Sequence, residues 1–161
     1  MKNLLLDQLS TDDRQRLEPH LKATPIKQHS VLFEADEVIK HVYFPLGAVV
    51  SLVVTLECGQ TVEAAMVGVD GVVGASAALD GGISLSRGII QLPGDIAICS
   101  INGLRSVAFS SPRLLSLLIR HEQTVYAQAQ QSVACLASHH RSRQAIRRQR
   151  GGRASGRRKA K

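Results

Sequence analysis

Between Thr24 and Ser100 the chain offers six short β-type runs with almost no room for helices between them. The runs are Val31–Phe33, Val42–Phe44, Val49–Leu56, Thr61–Val67, Gly88–Leu92 and Asp95–Ser100. Turn chemistry divides them at Ala35-Asp36-Glu37, Pro45-Leu46-Gly47, Cys58-Gly59-Gln60, Val69-Asp70-Gly71, Asp80-Gly81-Gly82 and Pro93-Gly94. Short strands with turn signals every 8–12 residues specify an antiparallel sandwich or barrel. A parallel α/β sheet needs a crossover helix between successive strands, and most of these gaps are too short for one. The 161 residues suit one domain. Aromatics are only 3% of them, so the core must come from Val, Ile, Leu and Ala.

Helical patterns flank the β region. Leu4, Leu5 and Leu9 form a short apolar face, and Ser10-Thr11-Asp12-Asp13 offers an N-cap and an acidic first turn to a second helix carrying Leu17 and Leu21. Asn102–Phe109 predicts another short helix. Ser110-Ser111-Pro112 then supplies a cap and an N1 proline for a long one. Residues 112–138 would span roughly 40 Å at the helical rise. Leu114 and Leu118 are expected to pack on the barrel, while Leu118, Val125, Ala129, Ser132 and Leu136 approximate a heptad seam. That seam predicts a homodimer.

Charge is unevenly placed. Residues 1–140 carry ten Lys/Arg and all thirteen Asp/Glu, a net of −3; residues 141–161 carry ten Lys/Arg and no acid, a net of +10. The stretch 139–161 lacks apolar periodicity and is expected to be a disordered basic tail. Arg141, Arg143, Arg147, Arg148 and Arg150 within it are candidates for sequence-independent nucleic-acid contact, with a solvated extension as the other reading. No signal peptide or membrane-length apolar run is evident, so a cytoplasmic location without membrane contact is expected.

Few catalytic or cofactor patterns survive inspection. Cys58, Cys99 and Cys135 are too far apart for a C-x-x-C site, and no cysteine precedes Cys58 to hold an iron–sulfur cluster near the N-terminus. There is no H-x-H pair, P-loop, nucleophile elbow or dinucleotide fingerprint. No cofactor, no metal and no enzymatic activity are expected; a single-histidine haem ligand such as His29 or His41 is the one option left open.

Five words carry a family likeness: His41-Val42-Tyr43-Phe44-Pro45, Gly47-Ala48-Val49-Val50-Ser51, Gly59-Gln60-Thr61-Val62-Glu63, Val67-Gly68-Val69-Asp70-Gly71-Val72-Val73-Gly74 and Gln91-Leu92-Pro93-Gly94. In that order and spacing they resemble the cyclic-nucleotide-binding-like sensor domain of Crp/Fnr superfamily transcription regulators, over about residues 3–138. The resemblance implies a mainly β fold with flanking helices: a double-stranded β-helix, or jelly roll, followed by a long C-terminal helix. It divides the chain into a β-roll with N-terminal helices at 1–111, a dimerisation helix at 112–138 and the tail at 139–161. It further implies a small-molecule effector in the roll, dimerisation through the long helix and a DNA-binding helix-turn-helix beyond it. The family-like text ends near Cys135, and the abrupt change of composition is what a shifted reading frame or a truncation would produce.

The family's phosphate cassette starts approximately G-E-L/F and ends R-S/T-A. By resemblance its place is taken here by Gly71-Val72-Val73-Gly74 and Ser86-Arg87-Gly88. Val72 stands where a carboxylate would hold the ribose. Between His41 and Leu104, Arg87 is the only cation against five acids. A phosphate buried there has one partner at most, so cyclic nucleotide binding is expected to be weak or absent. Arg87 itself reads either as that partner or as a solvated turn residue beside Asp80.

Overall fold

The computed structural model describes residues 2–57, 59–80 and 82–156, the last from 136 onward as backbone alone. Cys58 and Gly81, each placed in a turn above, lie outside the described residues. Seven strands form among the described residues: β1 (Leu21–Ile26), β2 (Val31–Phe33), β3 (His41–Pro45), β4 (Val49–Thr55), β5 (Thr61–Val67), β6 (Arg87–Leu92) and β7 (Gly94–Ser100). Helices are α1 (Thr11–Leu17), α2 (Ala75–Asp80), α3 (Ile101–Ala108) and α4 (Pro112–Gly156). The strands make two antiparallel sheets, ordered β1-β7-β3 and β2-β6-β4-β5. The mainly β roll with flanking helices and a long C-terminal helix is thus present.

Two elements differ from the sequence reading. Leu21 opens strand β1 and does not continue a helix; the 3-10 turn Glu18–His20 separates it from α1. Pro25 is tolerated there because β1 pairs only with β7 and leaves its other side unpaired. Helix α2 fills the gap between β5 and β6. Its six residues are too short to show a helical period. It begins after Gly74, whose φ of +85° suits glycine, and a Cβ there would meet the His41 carbonyl at 3.2 Å.

The core has two parts. One joins Leu17, Val42, Phe44, Cys99, Leu104, Leu114 and Leu118 between the helices and the first sheet. The other lies inside the roll around Phe33, Tyr43, Val50, Ile90 and Ile96. Ser10 caps α1 by accepting from the Asp13 N–H, and Ser111 caps α4 by accepting from the Leu114 N–H, as their sequence positions predict. Buried Asp13 ties the two caps together, accepting from the Ser10 and Ser111 hydroxyls at 2.7 and 2.9 Å.

Helix α4 continues to Gly156 where a disordered tail was expected from 139. Residues 139–156 hold six Arg and no proline, and their three glycines all lie at or beyond 151, so backbone chemistry does not stop the helix at Ser138. Its side chains lie outside the described residues, and with them Leu136 and the arginines at 141, 143, 147, 148 and 150.

The expected seam also changes. Leu118 is fully buried in its own core and cannot meet a partner. Val125 packs against the interior of the roll, and the Ser132 hydroxyl donates to the Ala64 carbonyl of β5 at 3.2 Å. The row Leu118–Val125–Ser132 therefore faces inward. One residue further round the helix, Ile119, Tyr126 and Val133 expose 46, 66 and 65% of their surface. They too are seven residues apart.

Candidate functional site

The segment between β5 and β6 builds the site. The N-terminal Asn3 anchors its start: its side-chain amide donates to the carbonyls of Pro45 and Gly71, and its oxygen accepts from Leu5 and Leu6. Tyr43 and Val73 exchange backbone hydrogen bonds at 2.9 and 2.8 Å, which clamps the segment to β3. Gly74 then turns the chain into α2. The return to β6 is pinned by Ser84, whose N–H donates to Glu37 and whose carbonyl accepts from Asp36. The Ser84 hydroxyl donates to the Ser86 carbonyl at 2.6 Å.

Beneath α2 lies a cavity of about 250 Å³, walled by the roll interior, by α2 with its return loop, and by α4. Phe33, Ile39 and Leu52 line it from the roll, Val72 and Ala77 from the segment, and Val125 from α4. Its polar groups are the hydroxyls of Ser76, Ser84 and Ser86 and the carboxylates of Asp80 and Glu122; among the described residues no Lys, Arg or His lines it. Asp80 Oδ1 accepts from the Gly82 N–H at 2.7 Å and so is partly engaged. Burial pushes the Glu122 carboxyl above the usual range, against hydrogen bonds from Ser76 that pull it down.

Of the positions taken from the resemblance, Val72, Val73, Gly74 and Ser86 line this cavity and Gly71, Arg87 and Gly88 do not. Arg87 opens β6, and its Nε lies 2.9 Å from Glu34 Oε2. Both side chains are nearly half exposed, so this ion pair contributes at most about 1 kcal/mol. The Nε–H is shielded but not aimed at an acceptor. Gly88 packs under the Phe33 ring, where a Cβ would sit 2.7 Å from Cζ.

A second link joins the segment to α4. His121 Nε2 accepts from the Val72 N–H at 3.2 Å. This assigns the ring proton to Nδ1, which is buried and unpaired among the described residues. The imidazole lies so close to Gly71 that a Cβ there would collide with it. Desolvation lowers the His121 pKa, while the charge of Asp70 works the other way. Sequence reasoning found neither Glu122 nor His121, since each is a lone polar residue on an amphipathic helix. Ile119, Tyr126 and Val133 share the seven-residue spacing of the Leu118 row and lie one position further along the helix.

Other chemistry is sparse. Burial raises the Cys99 thiol to about 11, so it stays protonated and inert at neutral pH. No group of three or more His, Cys, Asp or Glu converges to hold a metal ion among the described residues. Among the same residues no helix is long and apolar enough to cross a membrane.

Two antiparallel sheets, a short helix inserted before β6 and a long helix lying across β5 make up the fold seen in cyclic-nucleotide-binding domains. Solved structures share this fold. The chain is similar to a cyclic nucleotide-binding domain from Methylobacillus flagellatus KT, with a TM-score of 0.65 and 15% identity over 84% of this chain and 81% of that one. It is likewise similar to a c-di-GMP-responsive global regulator from Xanthomonas campestris (TM-score 0.67, 13% identity, 80% of this chain, 65% of that one). The catabolite activator protein of Thermus thermophilus gives a TM-score of 0.66 at 15% identity, over 83% of this chain and 62% of the other. The chain thus spans less than two thirds of either regulator. These neighbours are a ligand-binding domain and two regulators. No family model matches the chain, and no curated protein matches it in sequence.

Proposed function

We propose that the chain is the effector-sensing domain of a Crp/Fnr-like transcriptional regulator, non-catalytic, in which cyclic nucleotide binding is weak or lost. One observation carries the reading: a ligand-sized cavity is walled jointly by the cassette helix α2 and by α4, and among the described residues it holds two carboxylates and no cation. A shared wall means that filling the cavity alters how α4 sits on the roll. The missing cation means that a phosphodiester entering it loses its hydration without gaining a charge partner. Residues 1–111 then serve as the sensor and α4 as the relay, with two copies meeting along Ile119, Tyr126 and Val133.

Calorimetry with cyclic AMP and cyclic GMP tests the proposal. Neither is expected to bind at micromolar concentration. Micromolar binding that disappears in Arg87→Ala would overturn it, because Arg87 would then have to leave Glu34 and enter the cavity.

A further inference from the structure

The cavity beneath α2 has a mouth as apolar as its walls. Ile83 and Leu85, both among its lining residues, expose 54 and 86% of their surface, and Val38, 62% exposed, is joined to Ile83 by a backbone bridge. Exposed aliphatic side chains at an opening are unfavourable in water and lose that penalty when an apolar body fills the space beside them. Within the cavity part of the polar surface is already used. The Ser84 hydroxyl donates to the Ser86 carbonyl and accepts from the Ser86 N–H, and one Asp80 oxygen serves the Gly82 turn. Glu122, steadied by Ser76, is left as the group with spare acceptor capacity at the α4 wall.

Charge then selects the ligand. A carboxylate or phosphate group would be desolvated beside Asp80 and Glu122 with no cation among the lining residues. A protonated amine gains from both the wall and the anchor: its apolar body covers Phe33, Leu52 and Val125, and its N–H groups meet Glu122. We infer that the cavity binds a small organic cation, an ammonium group on an apolar body, through the Glu122 carboxylate. This rests on the proposed reading of the cavity as the effector site and adds the ligand's chemistry to it.

A head-group series tests it on the full chain. Hexylamine, 1-hexanol and hexanoate share one apolar body and differ only in charge. Titrations followed by amide chemical shifts locate and rank them together. Hexylamine is expected to shift the amides of Ser76, Ala77 and Val125. It should bind about ten- to a hundredfold tighter than hexanoate, the value of one charge-assisted hydrogen bond. In Glu122→Gln that preference should fall about tenfold, with Asp80 left as the remaining carboxylate, while uncharged 1-hexanol should change far less than the amine. The amine should also weaken as the pH falls and Glu122 takes up a proton. Hexanoate binding as well as the amine, or amine affinity indifferent to Glu122→Gln, overturns the ligand class and leaves the effector site standing. If none of the three probes shifts the cavity amides, the effector-site reading itself fails.

Discussion

At the residue scale, polar groups that look unremarkable in the sequence become decisive once α4 lies on the roll. His121 is the clearest. In the unfolded chain a histidine titrates near 6.5, and in the fold burial lowers that value. As the pH falls through 6.5 the unfolded chain binds the proton first, so stability declines until the depressed folded value is reached; above 6.5 the full stability is present. Protonation also removes the lone pair that accepts the Val72 N–H. Urea midpoints should therefore drop between about pH 7.5 and pH 5.5. His121→Gln, which keeps an acceptor without the titration, should show a shallower drop. Equal slopes in the two proteins would remove His121 from the acid response. The cassette shows the limit of reading roles from words alone: Ser86 reaches the cavity, whereas its neighbour Arg87 points to Glu34. Strand alternation separates adjacent side chains, and without a known register their sides cannot be assigned.

At the element scale, what the sequence disclosed follows from how long each signal lasts. Strands β2 to β7 carry β-branched runs bounded by turn residues and fall within a residue or two of their expected limits. The single turn of α2 and the proline-bearing edge strand β1 have no comparable signature. Helix α4 was legible as a helix but not in rotation, because Leu118–Val125–Ser132 and Ile119–Tyr126–Val133 are adjacent rows of equal period. Burial of Leu118 decides between them. The exposed row carries a prediction: Tyr126→Glu together with Val133→Glu should leave the far-UV circular dichroism spectrum unchanged, since neither side chain is buried in its own domain. Sedimentation should shift from dimer to monomer. Each apolar side chain kept out of a dimer core forgoes about 1.5–3 kcal/mol, more than tenfold in the dimer constant. A double variant that sediments like the parent would show that this row does not make the dimer.

At the scale of the whole molecule, charge is divided between two ends. The acidic part holds the roll and a cavity without cations, while residues 141–161 hold ten cations and no acid. With the backbone helical to Gly156, much of that charge is carried on a continuous extension of the same helix that walls the cavity. A polyanion is attracted to the basic end and repelled by the body, so nucleic acid should engage the extension and leave the roll alone. The binding should be sequence-independent, since the stretch lacks aromatic residues on which bases could stack. It should also be strongly salt-dependent, with a log–log slope of about −4.5 for every five phosphates neutralised on duplex DNA. Gel shifts across a salt series, comparing the full chain with one ending at Ser138, measure this directly. The shortened chain should lose both the affinity and the slope. Equal binding by the two would place the nucleic-acid surface on the acidic body, against its charge, and would leave the basic end as a solvated extension.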